Sequence, residues 1–213
     1  MCFVLERVLT HDEVSFVRTK LAGQIFLDGR STSDVPDKHN LQLPLDNPIA
    51  RSVGEFISQR LAEHECFQQK VYPAAIIPPI FSRYEPGMLY PKHIDSALMR
   101  QGRADVSVTL FLSDLNEYEG GELEIETESG EQCYRLPAGD ALVYPSTTLH
   151  RVAPVIRGVR DAAVTWVQSM VRDAAQREIL AELGHVAREL PDGPYADRVR
   201  RSHANLERMW LEP

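Results

Sequence analysis

Between residues 80 and 169 the chain runs in short stretches of alternating apolar residues. Turn signals cut them at Gly120-Gly121, Ser129-Gly130, Ala138-Gly139-Asp140 and Arg157-Gly158. Stretches of this length and period are β-strands, and many in succession fold into a sandwich or barrel. Residues 105–113 are the clearest case, apolar at every second position. Periodicity alone does not choose between a jelly roll and other sandwiches.

Helix signals flank this β-rich core. A short strand over residues 3–9 meets a capping box, Thr10-His11-Asp12-Glu13. Residues 34–38 read as a polar loop. Asn47-Pro48 opens a second helix, with proline at the first helical position and Ile49, Val53, Phe56 and Leu61 along one face. Ile76-Ile77-Pro78-Pro79 then leads into the strands. Past Met170, the spacing of Ile179, Leu180, Leu183, Val186, Ala187 and Leu190 predicts a helix, which Pro191-Asp192-Gly193-Pro194 breaks. Tyr195, Val199, Leu206 and Trp210 predict another, so the end of the chain is an αα-hairpin. Its apolar stripe, Leu180, Leu183, Val186, Leu190 and Trp210, has to be buried against something. We expect a homodimer partner there, with the barrel surface as the alternative. The expected division is residues 1–170 as one domain, helices on a β core, and residues 171–213 as a helical extension.

The chemistry-bearing pattern is His93-Ile94-Asp95, followed by His150 and Arg160. In an extended segment residues two apart share a face, so His93 and Asp95 can reach one metal ion. Two histidines and a carboxylate can hold one face of a ferrous ion and leave the other positions open. Arg160 lies on a strand pattern whose period puts it on one face with Ala162, Val164 and Trp166. A guanidinium among such neighbours is costly unless an anion meets it, and an oxo-acid carboxylate fits its planar fork. Each residue alone has a plainer reading: a hydrogen-bonded histidine, a turn-capping aspartate, an arginine paired with Asp161. Together in this order they point to a metal site.

At these residues the chain resembles the PKHD-type hydroxylases, which include the PiuC-like proteins. They are the bacterial branch of the prolyl/lysyl-hydroxylase-like Fe(II)/2-oxoglutarate dioxygenases. The matching segments are Phe81-Ser82-Arg83-Tyr84, His93-Ile94-Asp95, Thr109-Leu110-Phe111-Leu112-Ser113-Asp114, Gly120-Gly121-Glu122-Leu123, Leu136-Pro137-Ala138-Gly139-Asp140 and Tyr144-Pro145-Ser146. Leu149-His150, Arg157-Gly158-Val159-Arg160 and Trp166-Val167-Gln168-Ser169-Met170 complete them. The resemblance implies a double-stranded β-helix (jelly roll), with His93, Asp95 and His150 on iron and Arg160 on 2-oxoglutarate. It also implies Fe(II), 2-oxoglutarate as co-substrate and L-ascorbate as an accessory. Its chemistry decarboxylates 2-oxoglutarate to succinate and CO2 and hydroxylates an aliphatic C–H bond. In that family a tyrosine near Tyr84 lines the co-substrate pocket; a buried core tyrosine is the alternative. Ile94 and Asp161-Ala162-Ala163 depart from the family's usual small apolar or hydroxyl-bearing residues, which bears on active-site shape rather than on the ligands.

Composition narrows the remaining readings. A net charge of −8 argues against a sequence-independent grip on phosphate backbones. A nucleic-acid demethylase of the AlkB type wants a second arginine shortly after the first, and here Trp166 stands six positions on. A cupin-like enzyme would not need Arg160. A non-catalytic iron or 2-oxoglutarate sensor would keep every ligand, and succinate production separates it from an enzyme. No apolar run is long enough to span a membrane, and the start of the chain does not read as a signal peptide. Cys2, Cys66 and Cys133 are odd in number and lack a C-x-x-C pair, as expected of reduced thiols in the cytoplasm. Glu117, Glu119, Glu122, Glu124, Glu126 and Glu128 form an acidic segment, and alternation with Leu123 and Ile125 reads as the wet face of a strand. His11, His39, His64, His185 and His203 have no spacing partners and take no role. The substrate is not written in the sequence: a protein side chain, an amino acid and a siderophore-like molecule all stay open.

Overall fold

The strands pair into two facing antiparallel sheets, in a computed structural model that describes residues 2–32, 35–99, 102–127 and 129–212. The larger sheet runs in the order β1 (Phe3–Leu5), β13 (Ala141–Pro145), β9 (Val106–Phe111), β16 (Arg160–Ser169), β5 (Ile80–Tyr84), β3 (Leu41–Gln42) and β2 (Leu27–Asp28). β4 (Pro73–Ile76) also pairs with β16. The smaller sheet runs β12 (Gly130–Tyr134), β11 (Leu123–Thr127), β14 (His150–Val152) and β6 (Tyr90–His93). Two ribbons, β10 (Tyr118–Gly120) with β15 (Val155–Gly158) and β7 (Leu98–Met99) with β8 (Gly102–Arg103), complete the β structure of the described residues. This is the jelly roll that the resemblance implied.

Helices α1 (His11–Ala22), α2 (Pro48–Glu63) and α3 (Glu65–Val71) cover the outer face of the large sheet. Val14, Val17, Val53, Ile57, Leu61 and Phe67 meet Val106, Val108, Leu110, Ala163 and Val167 there. The other residues of β9, Ser107, Thr109 and Phe111, point inward between the sheets. All six are therefore buried, as expected for a strand covered on both sides. The capping box forms as read: Glu13 N–H donates to Thr10 Oγ1 (3.3 Å) and Thr10 N–H to Glu13 Oε2 (2.8 Å). Asn47 Oδ1 caps α2, accepting from the N–H groups of Ile49 and Ala50. The buried stripe of α2 is Ala50, Val53, Ile57 and Leu61, and Ile49 and Phe56 sit half-buried at its edge.

Some expectations change on contact with the structure. The first strand stops at Leu5 rather than residue 9, because Arg7 takes a left-handed turn (φ 53°) and donates its N–H to Asp140 Oδ1. The supposed wet face of β11 is wet only at one end. Glu126 is exposed, but Glu124 is buried and accepts from Arg151 Nε on the neighbouring β14. Glu128 of that acidic segment, and Asp34 of the loop at residues 34–38, lie outside the described residues.

The C-terminal hairpin is α4 (Ala174–Glu189) and α5 (Pro194–Trp210), broken where the Pro-Asp-Gly-Pro sequence predicted. Its buried face is rotated from the expected stripe. Leu180 is buried, Leu183 and Leu190 are half-buried and Val186 is exposed, while Ala181, Gly184 and Ala187 turn inward. Small residues win because α5 comes close: a Cβ on Gly184 would stand 3.0 Å from His203 Nε2. Arg177, also buried, donates from Nη1 to the carbonyls of Val171 (2.7 Å) and Arg172 (2.9 Å), which anchors α4 just beyond β16. Much of the hairpin's inner face is thus covered by its own chain. Among the described residues no helix is long and apolar enough to cross a membrane.

Candidate metal centre and co-substrate cavity

His93 ends β6, and its partner in the antiparallel register is His150, the first residue of β14. Cross-strand pairing therefore brings together two histidines far apart in sequence. Asp95 lies just beyond the strand, yet the extended alternation persists: Ile94 is exposed and the Asp95 side chain turns in. One oxygen of Asp95 is 3.7 Å from His93 Nε2 and the other 3.9 Å from His150 Nε2. One ligand atom from each of the three lies within 4.8 Å of the others, a cluster that can hold a metal ion.

The surroundings preset these groups for ligation. Each imidazole has its Nδ1 beside a backbone carbonyl, that of Pro91 for His93 (2.8 Å) and of Thr148 for His150 (2.9 Å). With Nδ1–H donating outward, the Nε2 lone pair of each ring is left for a metal. Burial first, and then the neighbouring His150, hold His93 down at about 4, so its ring is neutral near pH 7. Tyr90 stacks on His93 (centroids 3.8 Å, planes 13° apart) and Tyr144 meets His150 edge-on at 5.0 Å. Ser107 Oγ donates to Asp95 Oδ2 (2.5 Å) and is itself 2.8 Å from Ser146 Oγ, so a hydroxyl chain orients the carboxylate. Sequence reasoning missed both serines. The only available signal was polarity at an inward position of an otherwise apolar strand.

Arg160 opens β16 opposite Tyr84 of β5. It is 1% exposed and forms no ion pair with Asp161, which pairs instead with Arg83. Its guanidinium carbon lies 5.3 Å from the Tyr84 ring centroid and 5.2 Å from that of Phe111. Its Nε and Nη2 are buried with no hydrogen-bond partner among the described residues. Leaving such donors unmet is expensive, which is how a fold keeps a place for an anion. The aliphatic stem passes over Gly121, whose φ is +66°; a Cβ there would come within 3.0 Å of Arg160 Cδ and 2.9 Å of Val155 Cγ2. The second glycine of Gly120-Gly121 thus makes room for this arginine as well as for the turn.

One cavity of about 1020 Å³ is lined by all five residues singled out in the sequence, His93, Asp95, His150, Arg160 and Tyr84. Tyr84 is buried, and burial pushes its phenol up, so it stays a neutral hydrogen-bonding group. Trp166, on the face of β16 shared with Arg160, lines the same cavity and keeps a buried Nε1–H without a partner among the described residues. The residues fit the group the pattern implied: three neutral or anionic donors converge for a divalent metal, and a shielded cation stands in the same chamber for a dicarboxylate.

Comparison with known proteins agrees with this geometry. Residues 79–168 match the profile of the 2OG-Fe(II) oxygenase superfamily. The fold resembles that of a Pseudomonas putida prolyl 4-hydroxylase, with TM-score 0.55 at 19% identity over 79% of this chain and 92% of that one. It also resembles HygX of Streptomyces hygroscopicus, solved with nickel and 2-oxoglutarate bound, with TM-score 0.59 at 16% identity over 77% and 81% of the two chains. The protein is an enzyme of the Fe(II)- and 2-oxoglutarate-dependent oxygenase class. The chain is 40% identical over 225 residues to the PKHD-type hydroxylase PiuC of Pseudomonas aeruginosa, covering 100% of both. It is 44% identical over 222 residues to a PKHD-type hydroxylase of Burkholderia ambifaria, covering 98% of each. It belongs to the PKHD-type hydroxylase family.

Proposed function

We propose that the protein hydroxylates an aliphatic C–H bond of an organic substrate, with His93, Asp95 and His150 holding Fe(II) and Arg160 holding the distal carboxylate of 2-oxoglutarate. The observation that carries this reading is Arg160, a buried guanidinium with two nitrogens unpaired among the described residues, in the chamber that also contains the three-ligand cluster. When bound, iron and 2-oxoglutarate supply the oxidising power: O2 and 2-oxoglutarate go to succinate and CO2, and one oxygen atom enters the substrate C–H bond as a hydroxyl. The chain supplies position. The two carbonyl-held imidazoles and the serine-held carboxylate fix the metal face. Arg160 fixes the co-substrate by a charge-assisted fork, and Tyr84, beside it, is a second contact. The His93, Asp95 and His150 side chains are only 7%, 8% and 5% exposed, so the walls limit the contact of these groups with bulk water.

The substrate in this reading is a protein side chain, an amino acid or a siderophore-like molecule. A turnover assay on the iron-loaded protein tests it, following succinate from 2-oxoglutarate and screening candidate substrates by mass spectrometry for the gain of one oxygen atom. Succinate formation that depends on a substrate is the expected result; no succinate from any mixture would contradict it.

Three further assignments belong to the same proposal. Residues 1–170 form the oxygenase unit and residues 171–213 a helical extension. The enzyme works in the cytoplasm, a location supported by its three free cysteines. It forms a homodimer through the C-terminal helices, a reading supported by Ile179 and Val186, which remain exposed on α4. Val186→Asp should then shift the sedimentation coefficient to that of a monomer; a wild-type monomer at high concentration would refute the dimer.

A further inference from the structure

We propose that Lys38 recognises a carboxylate on the substrate to be oxidised, which makes that substrate an organic acid held by its anionic end beside the metal centre. This rests on the function proposed above and names a substrate class within it. Lys38 follows β2 and precedes β3, in a stretch whose composition reads as a solvated loop. It is nevertheless only 2% exposed and lines the cavity that contains the metal cluster. Its Nζ lies 4.8 Å from the centroid of the Tyr90 ring, and Tyr90 in turn is stacked on His93. The ammonium is thus one ring away from the metal-facing imidazole, with its cation–π contact and the stacked pair in register.

The ammonium is also held in place. Nζ donates to Thr32 Oγ1 (2.6 Å), a hydroxyl flanked by Gly29 O (2.9 Å) and Gln42 Oε1 (2.6 Å), and Gln42 Nε2 donates to Ser82 Oγ (3.1 Å). That chain crosses from the loop to β5. An ammonium has three N–H donors. Among the described residues only Thr32 takes one, and no carboxylate forms an ion pair with Lys38. Burial pushes the group down to about 8, so near pH 7 it is still mostly charged.

A buried cation kept without a counter-ion destabilises the free protein, and a methionine or leucine would cover Tyr90 at less cost. An incoming anion offsets that cost. Arg160 is the cation matched to the dicarboxylate co-substrate; Arg51 and Lys92 also line the cavity but are exposed, and Lys92 pairs with Glu131, which leaves Lys38 as the buried cation for the second ligand. On the side of Trp166, whose Nε1–H has no partner among the described residues, the cavity wall is apolar (Ile77, Pro79, Ile80, Met99, Val164), while Ser31, Arg51, Lys92 and Ser96 add polar lining elsewhere. The expected ligand therefore has an anionic end at Lys38 and an aliphatic body.

The test uses wild type, Lys38→Met and Lys38→Arg, each loaded with Mn(II) and 2-oxoglutarate without oxygen. Ligand-observed NMR, in which relaxation by Mn(II) reports closeness to the metal, compares acids with their amides. One arm takes free L-amino acids and their N-acetyl derivatives against the matching carboxamides. The other takes amide-capped peptides with Asp or Glu against the same peptides with Asn or Gln. The first arm reports a free acid and the second an acidic side chain. In at least one arm the acid should bind wild type about tenfold more tightly than its amide. That preference should vanish in Lys38→Met and survive in part in Lys38→Arg, with 2-oxoglutarate affinity unchanged throughout. No acid preference in either arm, a preference that survives Lys38→Met, or a fall in 2-oxoglutarate affinity in Lys38→Met would each overturn the assignment. Failure of wild type to bind Mn(II) or 2-oxoglutarate would strike the metal-centre reading instead, and titration of the same acid–amide pairs against metal-free protein still reads Lys38.

Discussion

On the outer face of β9 and β16, Val106, Val108, Leu110, Ala163 and Val167 pack on the helices and expose no polar group to the contact. On the inner face of the same strands, Ser107 and Thr109 are buried polar groups, while Arg160 and Trp166 keep buried nitrogens that meet no hydrogen-bond partner among the described residues. The two faces differ by a single step in a period of two. One lowers the free energy of the fold; the other gives up some of that stability to hold groups ready for ligands. A residue's contribution should therefore follow which way its side chain points, even between sequence neighbours.

The sharpest break between the faces is expected at Asp95, which the inner face orients. Asp95→Ala should abolish turnover and cut bound metal while leaving the thermal midpoint close to wild type. Metal analysis showing full iron occupancy together with activity would remove Asp95 from the ligand set. Leu110→Ala, on the outer face, should show the opposite pattern. A fully buried leucine truncated in a packed core costs about 2–5 kcal/mol, read by denaturant unfolding, with metal affinity unchanged. Equal loss of metal binding and stability there would mean that the two faces are coupled. The smallest of the three effects is expected at Ser107→Ala, where loss of the hydroxyl that orients Asp95 should weaken metal binding by about 10- to 100-fold. Unaltered affinity would make the Ser107–Ser146 chain a matter of packing only.

The sequence showed one face of each strand more clearly than the other. Alternation in β9 and β16, the capping box at Thr10 and the proline start of α2 follow from local chemistry, and each appears where its residues stand. The His-x-Asp, His and Arg members were legible because their residue types are rare in that order and strand geometry requires them to converge. What escaped depends on contacts between distant segments. Ser107 looks like any strand serine until β13 brings Ser146 and the chain after β6 brings Asp95 beside it. Lys38 looks solvated until its loop folds over Tyr90. Glu124 follows the wet alternation of its strand until Arg151 covers it. The α4 stripe was misjudged because hydrophobicity favours Leu183 and Val186, whereas close approach of α5 favours Ala181 and Gly184.

The most direct measurement is calorimetric titration of 2-oxoglutarate into Mn(II)-loaded wild type and Arg160→Lys. Lysine keeps the charge but loses the planar two-pronged donor, and it cannot meet both unpaired nitrogens' roles at once. The account predicts that 2-oxoglutarate binds Arg160→Lys at least several-fold more weakly while Mn(II) content stays at the wild-type level. Equal 2-oxoglutarate affinity in the two proteins would contradict it and move the co-substrate's anchor to another residue.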